Sequence, residues 1–165
     1  ILFTQFSHFI DLIVWLFGDV QKVQSFAHNI SNRKDIEFED SVVTSCLFEN
    51  GAMGTFNFSI NAHTKNMEGA ITVVAEKGTI KIGGEYLNKL EYVEGKFKNI
   101  TIEDSEKEAN DYGDYKGSMS NHDIVYRNIK KALKGELNNF PNGKDGLRAV
   151  RLIERIYESS KMHTY

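Results

Sequence analysis

A succession of short alternating segments joined by tight turns constrains the fold of this chain more than any other feature. Residues 41–49 and 52–62 flank Asn50-Gly51, which is the strongest short signal for a β-hairpin. Further hairpins are predicted around Glu76-Lys77-Gly78 and around Glu94-Gly95-Lys96. Strands that are joined by such short turns run antiparallel, so the sequence predicts a mostly antiparallel sheet.

Helical patterns lie before and after this block of strands. Strands are predicted at residues 20–30, 41–49, 52–62, 70–75, 79–82, 90–93 and 99–102, and helices at 6–17, from Ser120 or Asn121 to about 134, and from Asp145 onward. In the second helix the residues expected to face inward are Ile124, Val125, Ile129 and Leu133. We therefore predict an α+β fold, with an open, mostly antiparallel sheet of about six to seven strands and helices packed on one face.

Two polar stretches interrupt this pattern and are predicted as loops. Residues 31–40 are charged and form the best candidate for a mobile loop, and residues 103–119 form a long polar excursion. Loops as long as the second are usually functional lids or lack fixed structure. The sequence assigns neither loop a role.

Composition sets only broad limits on function. A chain of 165 residues suffices for one domain, and a net charge of −3 gives no attraction to nucleic acid or to an anionic membrane. The longest apolar run is too short to span a bilayer and lacks the features of a signal peptide, so a cytoplasmic location is expected. A chain that opens in Ile-Leu-Phe is expected to be part of a longer protein.

The first helix is apolar almost all round, from Phe6 to Phe17, which predicts burial on all sides. Its polar residues are nevertheless aligned, since helical spacing places Thr4, His8 and Asp11 on one stripe, with Trp15 a turn below. One interpretation is a satisfied core histidine held by Asp11. The other is that the stripe faces a cleft or a ligand, because buried polar groups need partners.

Four segments resemble the C-terminal domain of the glucose-fructose oxidoreductase, inositol dehydrogenase and rhizopine catabolism (Gfo/Idh/MocA) family. They are residues 2–19, Phe48-Glu49-Asn50-Gly51-Ala52 with Gly54-Thr55-Phe56, Glu76-Lys77-Gly78-Thr79-Ile80 and Gly146-Leu147-Arg148-Ala149. Many members carry an aspartate four residues before the helix histidine, where this chain has Thr4. The run from Thr4 to Phe9 is more similar to the UDP-N-acetylglucosaminuronate 3-dehydrogenases, a subgroup that acts on nucleotide-linked amino sugars.

The resemblance implies that residues 1–165 form a substrate-binding and oligomerisation domain, while an upstream Rossmann domain binds NAD or NADP. No G-x-G-x-x-G motif and no Glu-Lys-Pro segment with the family's catalytic lysine occurs here. This chain alone is therefore expected to be inactive and to bind no cofactor. The expected partners are a sugar or nucleotide-sugar substrate, the Rossmann domain, and further copies in a homodimer or tetramer formed through the sheet.

Individual roles follow from the same resemblance. His8 is implied as the catalytic acid or base, and Thr4 and Gln5 as hydrogen-bonding partners of the sugar. Asp11 could orient His8 or line the substrate site, although a purely structural role is equally open. Lys65 and Asn66, near the end of a predicted strand, are candidate substrate-binding residues, with an ordinary polar loop as the alternative.

Other kinds of site have little support in the sequence. The spacing of the five histidines and the single cysteine matches no metal-binding pattern, so no metal site is predicted. Two alternative functions remain open. The first is a family member that acts on free sugars or inositols, and the second is a non-catalytic interaction domain.

Overall fold

The computed structural model describes residues 1–100, 109–111, 113, 116–119, 121–136 and 140–161. The elements are α1 (Ser7–Phe17), β1 (Val20–His28), β2 (Ser41–Phe48), β3 (Met53–Ser59), β4 (Ile71–Ala75), β5 (Gly78–Gly83), β6 (Lys89–Gly95), β7 (Ala109–Asp111), β8 (Lys116–Met119), α2 (His122–Leu133) and α3 (Gly143–Lys161). All strand pairs are antiparallel. The predicted α+β class with open antiparallel sheets is confirmed.

The described strands are distributed over three sheets, in the orders β1-β2-β3, β4-β5-β6 and β7-β8. The chain also divides into two compact units. The first unit contains residues 1–61 and 141–165, and the second contains residues 62–140. The candidate catalytic helix α1 belongs to the first unit.

In the first unit, one face of the β1-β2-β3 sheet is covered and the other is open. Along β2 the side chains of Val42, Thr44, Cys46 and Phe48 are buried, while those between them are more exposed. Helix α3 packs against β1, and α1 packs against α3. The buried apolar core is formed by Ile1, Leu2, Ile10, Val14, Val20, Val42, Cys46, Phe48, Phe58, Ala149, Leu152, Ile153 and Ile156.

The alternation predicted for β3 is confirmed as far as Phe58, which is buried, but the strand is shorter than predicted. It ends at Ser59 because its partner β2 begins at Ser41, the residue paired with Ser59. Ile60 and Ala62, which the predicted strand 52–62 included, lie beyond the end of β3 and are exposed.

Buried hydroxyl groups join α3 to the sheet. The Ser159 hydroxyl donates to the Val23 carbonyl and accepts from the backbone N–H of Ser25, whose own hydroxyl accepts from Thr44. Ser25, Thr44 and Ser159 are all buried. Because each of these three hydroxyl groups has a hydrogen-bond partner, the polar contact between helix and sheet avoids the free-energy cost of an unsatisfied buried group.

Helix α3 begins two residues earlier than the predicted cap at Asp145. Asn142 is the residue before the helix, and its Oδ1 accepts from the Lys144 amide at 2.8 Å. Asp145 Oδ2 in turn accepts from the Asn142 amide at 2.9 Å. These reciprocal bonds form a capping box, in which Asn142 is the N-cap residue and Asp145 is its partner in the first turn.

The charged loop between β1 and β2 is held by a buried carboxylate. Asp40 is fully buried and accepts hydrogen bonds from the backbone N–H groups of Ile30 and Ser31 at 3.0 and 2.9 Å, and from the Ser31 hydroxyl. Burial alone would raise the pKa of Asp40, but the Ser31 and Ile30 hydrogen bonds outweigh it and hold that pKa well below 3.8.

This depressed pKa predicts a pH-dependent stability. The folded state of the full-length protein is favoured by Asp40 above about pH 4, and this contribution is lost as the pH falls toward the folded-state pKa. Asp40→Asn is therefore expected to lower the free energy of unfolding most at neutral pH, with the difference from the parent shrinking below about pH 4. Urea unfolding between pH 3 and 7 measures this. Asp35→Asn, at an exposed carboxylate of the same loop, is the control. A difference from the parent that stays constant with pH would contradict the assignment.

The second unit contains the other two sheets and α2. On the β4-β5-β6 sheet, Lys81 lies between two carboxylates, with Nζ at 2.6 Å from Glu91 and 3.5 Å from Glu68.

Residue 99 lies in a turn and residue 100 follows it, so the predicted strand at 99–102 is wrong for these two residues. Its remainder lies outside the described residues.

Two further predictions for this unit need correction. Part of the predicted long loop is strand, since β7 and β8 pair within it, and most of its other residues lie outside the described ranges. The inward face predicted for α2 is also wrong for three of its four residues in the described part of the unit, where Ile124 and Val125 are exposed and Leu133 is 85% exposed, while Ile129 is half-buried. None of the helices that the structure describes is long and apolar enough to cross a membrane.

Candidate functional site

Thr4 and Gln5 lie in a turn that precedes α1. The backbone N–H groups of Thr4, Gln5 and Phe6 all approach the Ile1 carbonyl oxygen, at 3.3, 2.9 and 3.3 Å. The Thr4 hydroxyl donates to the same oxygen at 3.3 Å. The turn is therefore organised around one carbonyl group, and it leads directly into the helix that carries His8.

The polar stripe predicted on α1 is an exposed surface. Thr4, Gln5, His8, Asp11 and Trp15 are all exposed, and we call these five residues the His8 surface. Trp15 is 75% exposed, so the prediction that α1 is buried on all sides is wrong. Only the opposite side of the helix, with Ile10 and Val14, is buried.

His8 is not a satisfied core histidine. Its imidazole is exposed and has no hydrogen bond or ion pair with any residue that the structure describes. No hydrogen bond joins it to Asp11, whose orienting role stays a prediction. An exposed imidazole without a partner is free to contact a ligand or another domain.

Aromatic packing fixes how α1 is rotated about its axis. The Phe6 ring stacks on Phe58 with centroids 4.7 Å apart, and Phe9 packs on the same ring at 5.8 Å. Phe58 comes from β3 and is itself buried. Because Phe6 and Phe9 are held against the sheet, His8 points away from it.

The C-terminal end of α1 is anchored by polar contacts. Asn50 Nδ2, from the β2–β3 turn, donates to the Phe17 carbonyl at 3.0 Å and so satisfies one of the helix's free terminal carbonyls. Asp19 pairs with Arg148 of α3 at 2.7 Å, and its carbonyl accepts from the Glu49 amide at 2.9 Å. The hairpin and α3 together therefore fix the helix.

The N-terminal turn is anchored by residues that the sequence did not mark as functional. The Tyr157 hydroxyl of α3 accepts from the Leu2 amide at 3.3 Å and donates to the Glu39 carboxylate. Burial and the hydrogen bond to Glu39 raise the pKa of Tyr157 to about 12. The Phe3 ring stacks on the Tyr157 ring at 5.8 Å. The helical spacing of α3 predicted that Tyr157 packs inward, but no local pattern links it to Glu39.

Lys65 and Asn66 lie in the loop between β3 and β4, in the second compact unit. Both are exposed, and neither has a hydrogen bond or ion pair with a described residue. Their role in binding substrate stays a prediction. Among the residues described in either unit, no group of three or more His, Cys, Asp or Glu side chains could hold a metal ion.

The comparison with protein families identifies the class of this domain. The family model of the Gfo/Idh/MocA C-terminal domain, described as "Oxidoreductase family, C-terminal alpha/beta domain", matches residues 1–165. The chain belongs to this oxidoreductase family, and the resemblance seen in its sequence is confirmed. A search of curated protein sequences found no match.

Solved structures give a finer comparison. The WlbA dehydrogenase from Bordetella pertussis, in complex with NADH and UDP-GlcNAcA, is 28% identical with a TM-score of 0.77, over 99% of this chain and 43% of that one. The Chromobacterium violaceum WlbA complex with the same ligands is also 28% identical, with a TM-score of 0.75, over 96% of this chain and 43% of that one. These similarities support the resemblance to the nucleotide-sugar subgroup.

A more distant similarity concerns the fold alone. Levoglucosan dehydrogenase, in complex with NADH and levoglucosan, is 18% identical with a TM-score of 0.73, over 98% of this chain and 48% of that one. This chain thus spans less than half the length of each of these three dehydrogenase chains.

Proposed function

We propose that this chain is the substrate-binding domain of an NAD(P)-dependent sugar dehydrogenase that oxidises a secondary hydroxyl of a nucleotide-linked amino sugar or uronate. The observation that carries the proposal is the exposed His8, which has no partner among the described residues, on a helix anchored at both ends. The 28% identity to WlbA dehydrogenases complexed with NADH and UDP-GlcNAcA supports the substrate class.

The His8 surface has the groups that such a reaction needs from this half of the enzyme. When bound, the nicotinamide cofactor supplies the acceptor for the hydride that leaves the sugar carbon. His8 takes the proton of the reacting hydroxyl, since an imidazole is the side chain most often used for this task. Thr4 and Gln5 hydrogen-bond the sugar, and the anchored turn holds them next to His8 in the chain. The upstream lysine expected from the family is the alternative proton acceptor.

The cofactor domain is proposed to cover the exposed side of α1 and its turn. Trp15 and Leu16 are large apolar side chains exposed there, at 75% and 46%. Such side chains next to polar ones are typical of a surface that contacts another domain. The Rossmann domain upstream of residue 1 would thereby enclose His8 between the two halves of the enzyme.

Association of copies is proposed through the open face of the first sheet. Phe26, Val43 and Met53 are exposed there, beside the polar Thr55 and Asn57. A shallow depression on the same sheet includes Met53 and Thr55 and does not include any residue of the His8 surface. Symmetric dimers are the commonest oligomers, so a homodimer or tetramer built on this face is expected.

A substrate panel tests the proposed function. The full-length protein is incubated with NAD⁺ or NADP⁺ and with UDP-linked amino sugars and uronates, free sugars or inositols, while the absorbance of the reduced cofactor is followed. We expect kcat/KM to be at least about tenfold higher for a nucleotide-linked sugar than for the free sugars, because the nucleotide offers binding contacts that a free sugar lacks.

The other results separate the alternatives. Preferred turnover of free sugars or inositols would reject the substrate class and keep the dehydrogenase assignment. The absence of turnover with every substrate and both cofactors would favour the non-catalytic interaction domain.

A further inference from the structure

We propose that Tyr157 is a positioning residue for the substrate-binding turn, which it holds in place through Leu2 and Phe3. This inference rests on the proposed function, because it gives Tyr157 a role in binding the sugar through Thr4 and Gln5. Tyr157 lies on α3 and does not belong to the His8 surface.

Two kinds of contact connect Tyr157 to the start of the turn. Its hydroxyl oxygen lies 3.3 Å from the Leu2 amide nitrogen, from which it accepts a hydrogen bond. Its ring stacks on Phe3 with centroids 5.8 Å apart and an interplanar angle of 21°. The Leu2 side chain is fully buried in the core. Residues 2 and 3 are thus fixed against α3 by backbone, side chain and ring.

Glu39 determines the direction of the hydroxyl group. A tyrosine hydroxyl has one proton to donate, and an ionised carboxylate can only accept. Because the Tyr157 proton is donated to Glu39, the oxygen lone pairs are left for the Leu2 N–H. The position of Glu39 is fixed as well, because it precedes Asp40. The buried Asp40 carboxylate accepts hydrogen bonds from the backbone N–H groups of Ile30 and Ser31.

The position of Leu2 and Phe3 determines the position of Thr4 and Gln5. The Ile1 carbonyl accepts from the amides of Thr4 and Gln5, so these two residues follow the segment that Tyr157 holds. His8 is held separately, by the packing of Phe6 and Phe9 on Phe58 and by Asn50 at the far end of α1. Loss of the Tyr157 hydroxyl should therefore displace the sugar-binding groups more than the acid/base group.

The test is Tyr157→Phe in the full-length enzyme, which removes the hydroxyl and keeps the ring. We expect KM for the nucleotide-sugar to rise about three- to tenfold, while kcat stays within about threefold of the parent, because a binding contact is weakened and the proton carrier is not. KM for the cofactor should stay unchanged. Tyr92→Phe, at an exposed tyrosine of β6, makes the same chemical change away from the turn and serves as the control.

The outcomes distinguish this inference from the proposed function. A parent enzyme without turnover on any sugar rejects the proposed function. If the parent is active and folded Tyr157→Phe keeps KM within twofold, or loses kcat with KM unchanged, Tyr157 is merely structural and the inference is overturned.

A second variant keeps the inference testable if Tyr157→Phe does not fold. Phe3→Leu removes the stacked ring, retains the tyrosine hydroxyl, and changes a side chain that is half exposed. A raised KM with kcat preserved supports the role of the contact in positioning the turn. An unchanged KM in this variant overturns it.

Discussion

Replacing His8 with asparagine in the full-length enzyme is expected to lower kcat by about 10²–10⁴-fold, the range found when a general acid or base is removed. KM for the sugar should change much less, because asparagine keeps a similar size and some hydrogen-bonding capacity. The fold should be unaffected, since the exposed His8 side chain contributes no described hydrogen bond or ion pair. Steady-state kinetics, with a circular dichroism melt of the same preparation, provide both measurements.

His28→Asn is the matched control for this experiment. His28 is an exposed histidine at the end of β1, in the same compact unit, and it has no predicted role. Its replacement should leave kcat within about twofold of the parent, the level expected for a surface substitution. If folded His8→Asn retained kcat within a few-fold of the parent, His8 would be removed from the mechanism, and α1 would remain a structural helix with a polar surface.

Leu152→Ala in the full-length protein is expected to lower the free energy of unfolding by about 2–5 kcal/mol, the usual cost of truncating a buried leucine. Leu152 is 3% exposed and lies in the core that joins α3, α1 and the first sheet. The loss should be large because the surrounding side chains refill such a space only in part. Chemical denaturation, followed by far-ultraviolet circular dichroism, measures it.

Leu147→Ala is the control, because it makes the same change on the same helix. Leu147 is 46% exposed, so its truncation removes less buried surface, and a loss below about 1 kcal/mol is expected. Equal losses for the two variants would show that α3 does not pack as described.

Local patterns were sufficient to predict most of the first unit. Alternating apolar residues and Asn50-Gly51 located β2 and β3. Burial of one face and the turn conformation each depend on residues that are close together in the sequence. The strand ends were less predictable. Whether Ile60 extends β3 depends on where β2 begins, and that pairing is not encoded next to Ile60. The same limit applies to α2, whose apolar spacing predicts a buried face but does not identify what covers it.

The sequence predicted which residues form the candidate site, but it predicted less well whether they are buried and what holds them in place. Helical spacing correctly grouped His8, Asp11 and Trp15 on one face of α1, but it could not distinguish a buried stripe from an exposed one. The anchors were missed because they come from remote parts of the chain. Nothing near Tyr157 indicates that its hydroxyl meets a backbone amide 155 residues away.

The separation of these anchors along the chain has a consequence for folding during synthesis. Asp19 and its partner Arg148 are 129 residues apart, and Leu2 and Tyr157 are 155 residues apart. The helix with His8 leaves the ribosome long before α3 is made, so it stays without its anchors for most of the synthesis of this domain. Contacts at such distances form late and slow the folding of a chain. The apolar residues of α1 are exposed in that interval, and this is when the nascent protein is most prone to aggregate or to need a chaperone.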